Sequence, residues 1–207
     1  MNLVFLSNGF PPRHTAGTEN YTAGIASALA QAGHRVSVIC VGEWDSGPQP
    51  VNGVTRDTYQ GVAVARLDAN WTAGPDPNRY LYDNPVMAAQ VAALLDEMQP
   101  DLVHITSCAT LSASVIRVVK QRGLPLVITL TDYWFICPRI SLLHADGHVC
   151  DGQTNAWECL TCLLWGAKAY RLPARVLPAP VLRPLLQGVS RQPWLSRRPG
   201  LRGMALD

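Results

Sequence analysis

Three side chains able to bind or activate a polar substrate stand together near the middle of the chain. The apolar run 126–130 predicts a buried strand, and Thr131, Asp132 and Tyr133 follow it directly. In open α/β sheets the carboxyl ends of the strands border the crevice in which ligands bind, so a hydroxyl, a carboxylate and a phenol there form a candidate site. Asp132 can equally serve as a cap for the turn that follows the strand.

Four of the six cysteines come next, at Cys137, Cys150, Cys159 and Cys162. A Cys-x2-Cys pair with two further cysteines nearby is typical of tetrahedral thiolate coordination, so these four are the candidate ligands of a structural zinc. The same four side chains could remain unligated thiols or form disulfides. Cys40 and Cys108 stand alone in apolar contexts, where small core residues are expected.

The charges divide the chain into two segments. The 207 residues are 48% hydrophobic and 15% charged, which is typical of a globular protein. Residues 1–165 carry nine basic and fourteen acidic residues, whereas residues 166–207 carry eight basic residues and one acid, Asp207. We therefore predict a domain at 1–165 and a basic, Pro/Arg-rich tail at 166–207 with irregular, short helical pieces, because its prolines interrupt any long helix.

The basic tail suits an anionic membrane surface, or it is a linker whose partner surface lies elsewhere. Nucleic acid is not expected as a partner, because the tail contains no recognised binding motif. The N-terminal residues show no basic, apolar signal-peptide pattern, and no apolar run is long enough to cross a bilayer. These patterns predict a cytoplasmic protein that associates peripherally with the inner face of the membrane.

The remaining periodicity alternates strands and helices. Apolar runs predict strands at 2–7, 35–41, 62–67, 102–105 and 126–130, and helical stripes lie between them. One helix starts at an N-cap Thr18 and stops at Gly33, another opens at Pro85, and residues 42–60 read as a loop. Regular alternation of this kind predicts an α/β fold, a Rossmann-like doubly wound parallel sheet with a cysteine-rich loop after its last strand.

The first strand-to-helix turn is a second candidate site. Its residues are Ala16, Gly17, Thr18 and Glu19. Backbone N–H groups at a helix N-terminus bind anions, and a glycine lets a phosphate approach closely. Neither a dinucleotide-binding nor a P-loop glycine motif is present, so spacing alone is equally consistent with an ordinary turn.

Several motifs, taken in order, resemble glycosyltransferase family 4. The resemblance covers about residues 1–165 and consists of Phe10-Pro11-Pro12, Ala16-Gly17-Thr18-Glu19, Gly33-His34-Arg35-Val36-Ser37-Val38, Pro100-Asp101-Leu102-Val103-His104, and Thr129-Leu130-Thr131-Asp132-Tyr133-Trp134 with Cys137-Pro138-Arg139. Each motif is weak by itself, and their ordered spacing is specific.

The resemblance implies the N-terminal, acceptor-binding domain of a two-domain retaining glycosyltransferase (GT-B fold) that works in polysaccharide biosynthesis. Such an enzyme moves a sugar from a nucleotide-sugar donor to a glycan or lipid-linked acceptor, without a catalytic metal. Residues 16–19 would lie against the donor diphosphate, and Asp132 and Tyr133 would face the acceptor. The family's C-terminal donor domain carries a Glu-x7-Glu motif, which residues 166–207 lack. We therefore expect an incomplete enzyme that is inactive alone.

Two residues depart from the family pattern, and one of them, Thr131, together with the absent donor domain, favours an alternative. Thr131 occupies the signature's usual histidine position, which makes it the candidate catalytic residue beside Asp132, and Thr106 replaces a second frequent histidine. A hydroxyl cannot supply the charge of an imidazole near pH 7. The alternative is a non-catalytic, zinc-stapled Rossmann-like binding or scaffold module. His104, on an apolar strand, is expected to be a satisfied core residue.

Overall fold

A computed structural model describes residues 1–137, 139–144 and 147–152, together with residues 159, 162, 163 and 181. The chain divides into two compact units, the first made of Met1–Pro75 and Arg79–Thr131 and the second of Asp76–Asn78 and the residues from Asp132 onward. The predicted basic tail lies, apart from Val181, outside the described residues. Among the described helices, none is both long and apolar enough to cross a bilayer.

The first unit contains a six-stranded sheet with helices. Its strands are β1 (Asn2–Ser7), β2 (Arg35–Trp44), β3 (Val51–Tyr59), β4 (Val62–Ala69), β5 (Leu102–Ile105) and β6 (Leu126–Ile128). Among the described residues up to Thr131, the helices are α1 (Gly17–Gln31), α2 (Pro77–Tyr80), α3 (Pro85–Met98) and α4 (Ser114–Gln121), with a 3₁₀ turn at Trp71–Ala73, and α2 begins in the second unit.

The strand order is β3-β4-β2-β1-β5-β6. All neighbouring strands are parallel except β3 and β4, which form an antiparallel pair at one edge. From β1 the chain builds outward on one side through β2 and β4, and then returns to add β5 and β6 on the other side. The predicted Rossmann-like α/β sheet is confirmed, with one antiparallel edge strand, and it has a topological switch point between β1 and β5.

Apolar periodicity located β1 and α3 correctly, whereas the buried strand predicted at 126–130 is wrong, because β6 ends at Ile128 and its residues are half-buried or exposed. Strand β1 is buried along its whole length, and α3 buries Met87, Val91, Leu94 and Leu95 as its stripe predicts. Helix α3 starts as expected before Pro85, because the Asn84 side chain accepts a 2.9 Å hydrogen bond from the N–H of Met87. Helix α1 begins two residues earlier than predicted, because its N-cap is Ala16 rather than Thr18, and Gly33 follows its end at φ +87°.

The loop predicted at 42–60 is wrong, because β2 extends to Trp44 and β3 occupies Val51–Tyr59. Strand β3 is an edge strand with mostly exposed positions, so it lacks the apolar alternation by which strands are recognised. Gln60 and Gly61 connect it to β4 with φ values of +48° and +81°. Positive φ at both positions is characteristic of a two-residue type I′ hairpin turn.

Arg66 on β4 is the largest of the fully buried side chains, and no part of it is exposed. Its Nη1 and Nη2 atoms donate 2.7 Å hydrogen bonds to the carbonyls of Phe10 and Pro11. Its Nε and Nη2 atoms donate to both carboxylate oxygens of Asp57 on β3, at 2.7 and 3.2 Å. One buried guanidinium therefore joins the β1–α1 loop to the antiparallel edge of the sheet.

We expect Arg66→Met to lower the free energy of unfolding by about 3–5 kcal/mol, because it leaves the partners of a buried charge unsatisfied. The free energy of unfolding of Arg66→Lys should lie between those of Arg66→Met and the parent protein, because an ammonium keeps the charge but loses the planar, bidentate geometry of the guanidinium. Urea unfolding followed by circular dichroism measures both. The matched control is Arg56→Met, whose exposed pair with Glu97 should contribute about 0–1 kcal/mol. Equal losses for the two Met variants would contradict this role for Arg66.

His104 on β5 generates a second prediction. Its Nε2 lies 2.8 Å from the Thr129 hydroxyl, its ring lies 4.9 Å from that of Phe5, and burial lowers its pKa below the usual 6.5. Between the folded and the unfolded pKa the unfolded chain binds more protons, so His104 contributes stability above pH 6.5 that decreases as the pH falls toward the folded pKa.

His104→Gln should therefore flatten the dependence of unfolding free energy on pH below about 6.5. Denaturant titrations of parent and variant across this range provide the measurement. The other four histidines are common to both proteins, so the difference between the two curves isolates His104. Parallel curves would show that burial does not affect this imidazole.

Candidate functional site

The candidate site lies where the strand order reverses, at the carboxyl ends of β1 and β5. Asn8 follows β1, and Thr106 follows β5. The Thr110 hydroxyl donates a 2.9 Å hydrogen bond to the Asn8 carbonyl, which ties the two loops together. Ligands of open α/β sheets bind outside the strand ends at such a switch point.

Helix α1 presents an uncapped N-terminus beside this point. Its N-cap residue Ala16 makes no side-chain capping bond, and the first intrahelical hydrogen bond runs from the N–H of Asn20 to the Ala16 carbonyl. The N–H groups of Gly17, Thr18 and Glu19 precede that bond. Gly17 is exposed, and a Cβ added there would meet no atom within 4 Å. The backbone at this helix start is therefore open to an anion.

Glu19 is turned inward rather than toward solvent. It is 3% exposed, and its Oε1 accepts a 2.8 Å hydrogen bond from the Asn8 side chain. Its Oε2 is buried without a hydrogen-bond partner among the residues that the structure describes. The carboxylate lies in the first turn of α1, where the helix dipole favours a negative charge. Glu19 thus fixes the β1–α1 loop, and its direct contact with a substrate stays a prediction.

Four threonines connect the first turns of α1 to the ends of the strands, and we call them the threonine network. The Thr18 hydroxyl donates to the Thr131 hydroxyl at 2.9 Å, and Thr131 donates to the Thr106 carbonyl at 3.0 Å. The hydroxyls of Thr22 and Thr106 lie 2.7 Å apart. The predicted substrate-binding residue Thr18 and the predicted catalytic residue Thr131 are therefore brought into direct contact.

The bonds of Thr131 define what its hydroxyl can do. A hydroxyl has one proton, and that of Thr131 is donated to a backbone carbonyl. The oxygen accepts from Thr18 and keeps one further lone pair. Thr131 can therefore hold the helix start against the sheet, whereas it has no free proton to give to a substrate in this arrangement.

Asp132 and Tyr133 belong to the second unit. The Asp132 Oδ1 accepts a 2.9 Å hydrogen bond from the backbone N–H of Trp134, which is the turn-capping bond that the sequence allows. The Tyr133 side chain is 50% exposed, and its backbone N–H donates to Ile140 at 3.2 Å. The roles of Asp132 in catalysis and of Tyr133 in substrate binding stay predictions.

The expected zinc site finds no support. All four cysteines are among the described residues, and in that part of the chain no group of three or more His, Cys, Asp or Glu side chains could hold a metal ion. Cys137 is buried, and the Cys150 thiol is directed at the Gly152 carbonyl at 3.5 Å. Cys40 and Cys108 are buried core residues as predicted, and burial raises the pKa of the Cys40 thiol to about 12.

Backbone hydrogen bonds shape the described part of the cysteine-rich loop. Leu143 and Val149 form an antiparallel bridge, and the His144 N–H donates to the His148 carbonyl at 2.9 Å. Gly147 lies in the turn between them at φ +98°, a backbone conformation that favours glycine. The two histidine rings stack with centroids 4.3 Å apart.

Sequence reasoning missed two side chains that build the site. The sequence predicts only that Asn8 ends a strand. In the structure its backbone carbonyl accepts a hydrogen bond from Thr110, and its side-chain amide donates one to Glu19. Arg66 reads as one charge in an apolar strand, and that anomaly is the signal that could have identified it, because a buried charge needs fixed partners.

Comparison with known proteins identifies the family. The model of the glycosyl transferase 4-like domain matches residues 16–191, which is most of the chain. No curated protein matches.

Solved glycosyltransferase-type structures share a limited likeness with this chain. The catalytic domain of starch synthase IV from Arabidopsis thaliana, solved with ADP and acarbose, is 16% identical over 61% of this chain, with a TM-score of 0.41. Sucrose-phosphate synthase from Thermosynechococcus elongatus is 18% identical over 62%, with a TM-score of 0.41. Trehalose-6-phosphate synthase OtsA is 19% identical over 68%, with a TM-score of 0.44.

The chain spans 32%, 32% and 36% of the lengths of those three proteins. The assignment rests on the family model, because its match extends from the uncapped start of α1 through the cysteine-rich loop. The chain belongs to the glycosyl transferase 4-like domain family.

Proposed function

We propose that this chain is the acceptor-side domain of a retaining glycosyltransferase, which moves a sugar from a nucleotide-sugar donor to a glycan or lipid-linked acceptor. The observation that carries the proposal is the uncapped helix start at Gly17, at the switch point of a domain from this family. An exposed row of backbone N–H groups suits the diphosphate of a donor. A second, donor-binding domain would complete the enzyme.

The basic residues of the tail support a place for this enzyme at an anionic membrane surface on the cytoplasmic side. Residues 166–207 contain eight Lys and Arg residues and one acid. Binding of these basic residues to anionic headgroups would place the domain beside a lipid-linked acceptor in the membrane.

The transfer reaction is tested on the polypeptide encoded through and beyond Asp207 in the source genome. The protein is incubated with UDP-, GDP- or ADP-linked hexoses and a membrane lipid or oligosaccharide acceptor, and release of nucleoside diphosphate is measured with and without acceptor. Acceptor-dependent release is expected from one donor, and the anomeric proton signal of the product should show retained configuration. Inverted product, or no release from any donor, would overturn the proposal.

A non-catalytic binding domain is the second candidate. It is favoured by Thr131, whose proton is committed to the Thr106 carbonyl where the family usually carries a histidine. Sugar binding without acceptor-dependent release of nucleoside diphosphate would support this candidate over the enzyme.

Gly17→Ala should reduce transfer without unfolding the domain. The added methyl meets no atom of the protein, but it stands at the backbone that would receive the diphosphate. Loss of one charge-assisted hydrogen bond corresponds to about 1.5–3 kcal/mol, or roughly 10- to 150-fold in kcat/KM.

Gly24→Ala is the matched control, since Gly24 lies in the same helix with the same free space around it. It should raise stability by about 0.5–1 kcal/mol and leave kcat/KM unchanged. Equal kinetic effects in the two alanine variants would argue against an anion site at Gly17.

Thr131→Val and Thr131→Ser separate positioning from proton transfer. Valine removes both hydroxyl bonds at nearly constant volume and should cost about 1–3 kcal/mol of unfolding free energy. Serine keeps the hydroxyl and should retain both stability and the pH profile of kcat/KM. If the valine variant instead changes the pH profile of kcat/KM while its stability is unchanged, Thr131 acts on the substrate directly.

A further inference from the structure

A second cluster of side chains lies at the carboxyl ends of β2 and β4, apart from the switch point. It consists of Arg13 and His14 from the β1–α1 loop, Glu43 and Trp44 from the end of β2, and Asp68 from β4, and we call it the Trp44 cluster. All five residues belong to the first compact unit.

Asp68 lies opposite a β-bulge in each of the two strands that pair with β4. Strand β2 pairs with β4 through a register shift between Val41 and Glu43, so that Gly42 bulges and Glu43 stands opposite Asp68. Strand β3 pairs with the other side of β4 through a shift between Val51 and Gly53, and Gly53 also stands opposite Asp68. Bulges re-aim side chains and are frequent beside functional sites.

Two glycines permit the close packing of this cluster. A Cβ at Gly42 would lie 2.9 Å from Asp68 Oδ1 and 3.2 Å from Arg13 Nη1. A Cβ at Gly9 would lie 2.8 Å from the Cβ of His14. The loop can therefore bring Arg13 and His14 against the strand ends only because both positions lack a side chain.

His14 is held in one orientation. Its Nε2 lies 2.9 Å from the Gly42 carbonyl, and since a carbonyl only accepts, the ring proton is on Nε2. The ring stacks on Trp44 with centroids 5.2 Å apart and an interplanar angle of 27°. Trp44 nevertheless stays 44% exposed, although His14 covers one side of the indole. The cluster thus displays an immobilised aromatic surface to solvent.

Charged side chains complete the Trp44 cluster. Asp68 Oδ1 is buried and has no hydrogen-bond partner among the described residues, and Arg13 lies 4.0 Å from the Glu43 carboxylate. Two carboxylates face one guanidinium, so the local charge disfavours a phosphate. The same carboxylates accept hydrogen bonds from hydroxyl groups, and Arg13 donates to hydroxyl oxygens.

We propose that the Trp44 cluster is a saccharide subsite, which binds one sugar ring of the acceptor. The apolar C–H face of a pyranose would pack on the exposed indole, and its hydroxyls would bond to Asp68, Glu43 and Arg13. A few convergent polar groups around an aromatic surface are typical of small-molecule sites. Only the assignment of this sugar to the acceptor rests on the proposed function.

Saturation-transfer NMR on the full chain tests the subsite in the absence of any donor. The probes are the methyl pyranosides of α-glucose, α-mannose and β-galactose, and the readout is transfer to their ring protons. We expect transfer to at least one probe, a roughly tenfold weaker affinity in Trp44→Ala, and partial retention in Trp44→Phe, which keeps a stacking ring. Asp68→Asn should also weaken binding, because an amide replaces a carboxylate acceptor.

Tyr21→Ala is the matched control, since Tyr21 is an aromatic residue of α1 with 41% exposure. It should leave the transfer unchanged, and circular dichroism verifies that every variant is folded. The subsite is ruled out if no probe shows Trp44-dependent transfer, or if only UDP or ADP does. Glycoside binding and donor turnover are separate measurements, so binding without nucleotide release would overturn the proposed enzyme and leave the subsite intact.

Discussion

The structure depends on the buried guanidinium of Arg66. A charge removed from water destabilises the fold unless every donor finds a partner. Arg66 meets that condition with two loop carbonyls, at Phe10 and Pro11, with the Asp57 carboxylate on the antiparallel edge strand, and with the Cys40 thiol, whose Sγ lies 3.8 Å from Nη1. The loop from β1 to α1 is therefore fixed at its start by the sheet itself. The loop positions the helix start at Gly17 and the side chains of the Trp44 cluster.

Hydroxyl groups fix the other end of this loop. The threonine network links α1 to β5 and to the residues after β6 through bonds of 2.7–3.0 Å. A threonine is compact enough to let the helix lie close to the strand ends, where a histidine would need more room. Thr106 and Thr131, the two positions at which the resemblance led us to expect histidines, both belong to this network. Both threonines therefore contribute to the same packing of α1 against the strand ends.

The cysteine-rich loop shows that a spacing pattern alone does not establish a metal site. Four cysteines within a short stretch resemble a metal site, because zinc requires only that four ligands meet. In the described residues no three such ligands come together, and the bridge between Leu143 and Val149 joins the local hairpin through the backbone. Backbone hydrogen bonds leave no signature in the spacing of cysteines, so the sequence could not distinguish the two.

The sequence by itself determined the α/β alternation, because burial imposes a period on β1, α3 and α4 that can be read directly. It also located the start of α1 to within two residues, since Thr18 was the predicted N-cap and Ala16 is the observed one. The polar strand β3 was decided by the tertiary structure, since its pairing with β4 supplies the hydrogen bonds that its own residues do not predict. The tertiary structure also decided the partners of Arg66 and the bulges opposite Asp68. Strand register and buried ion pairs join residues that are far apart in the chain. Contacts of that kind have no local pattern, and only the folded chain brings them together.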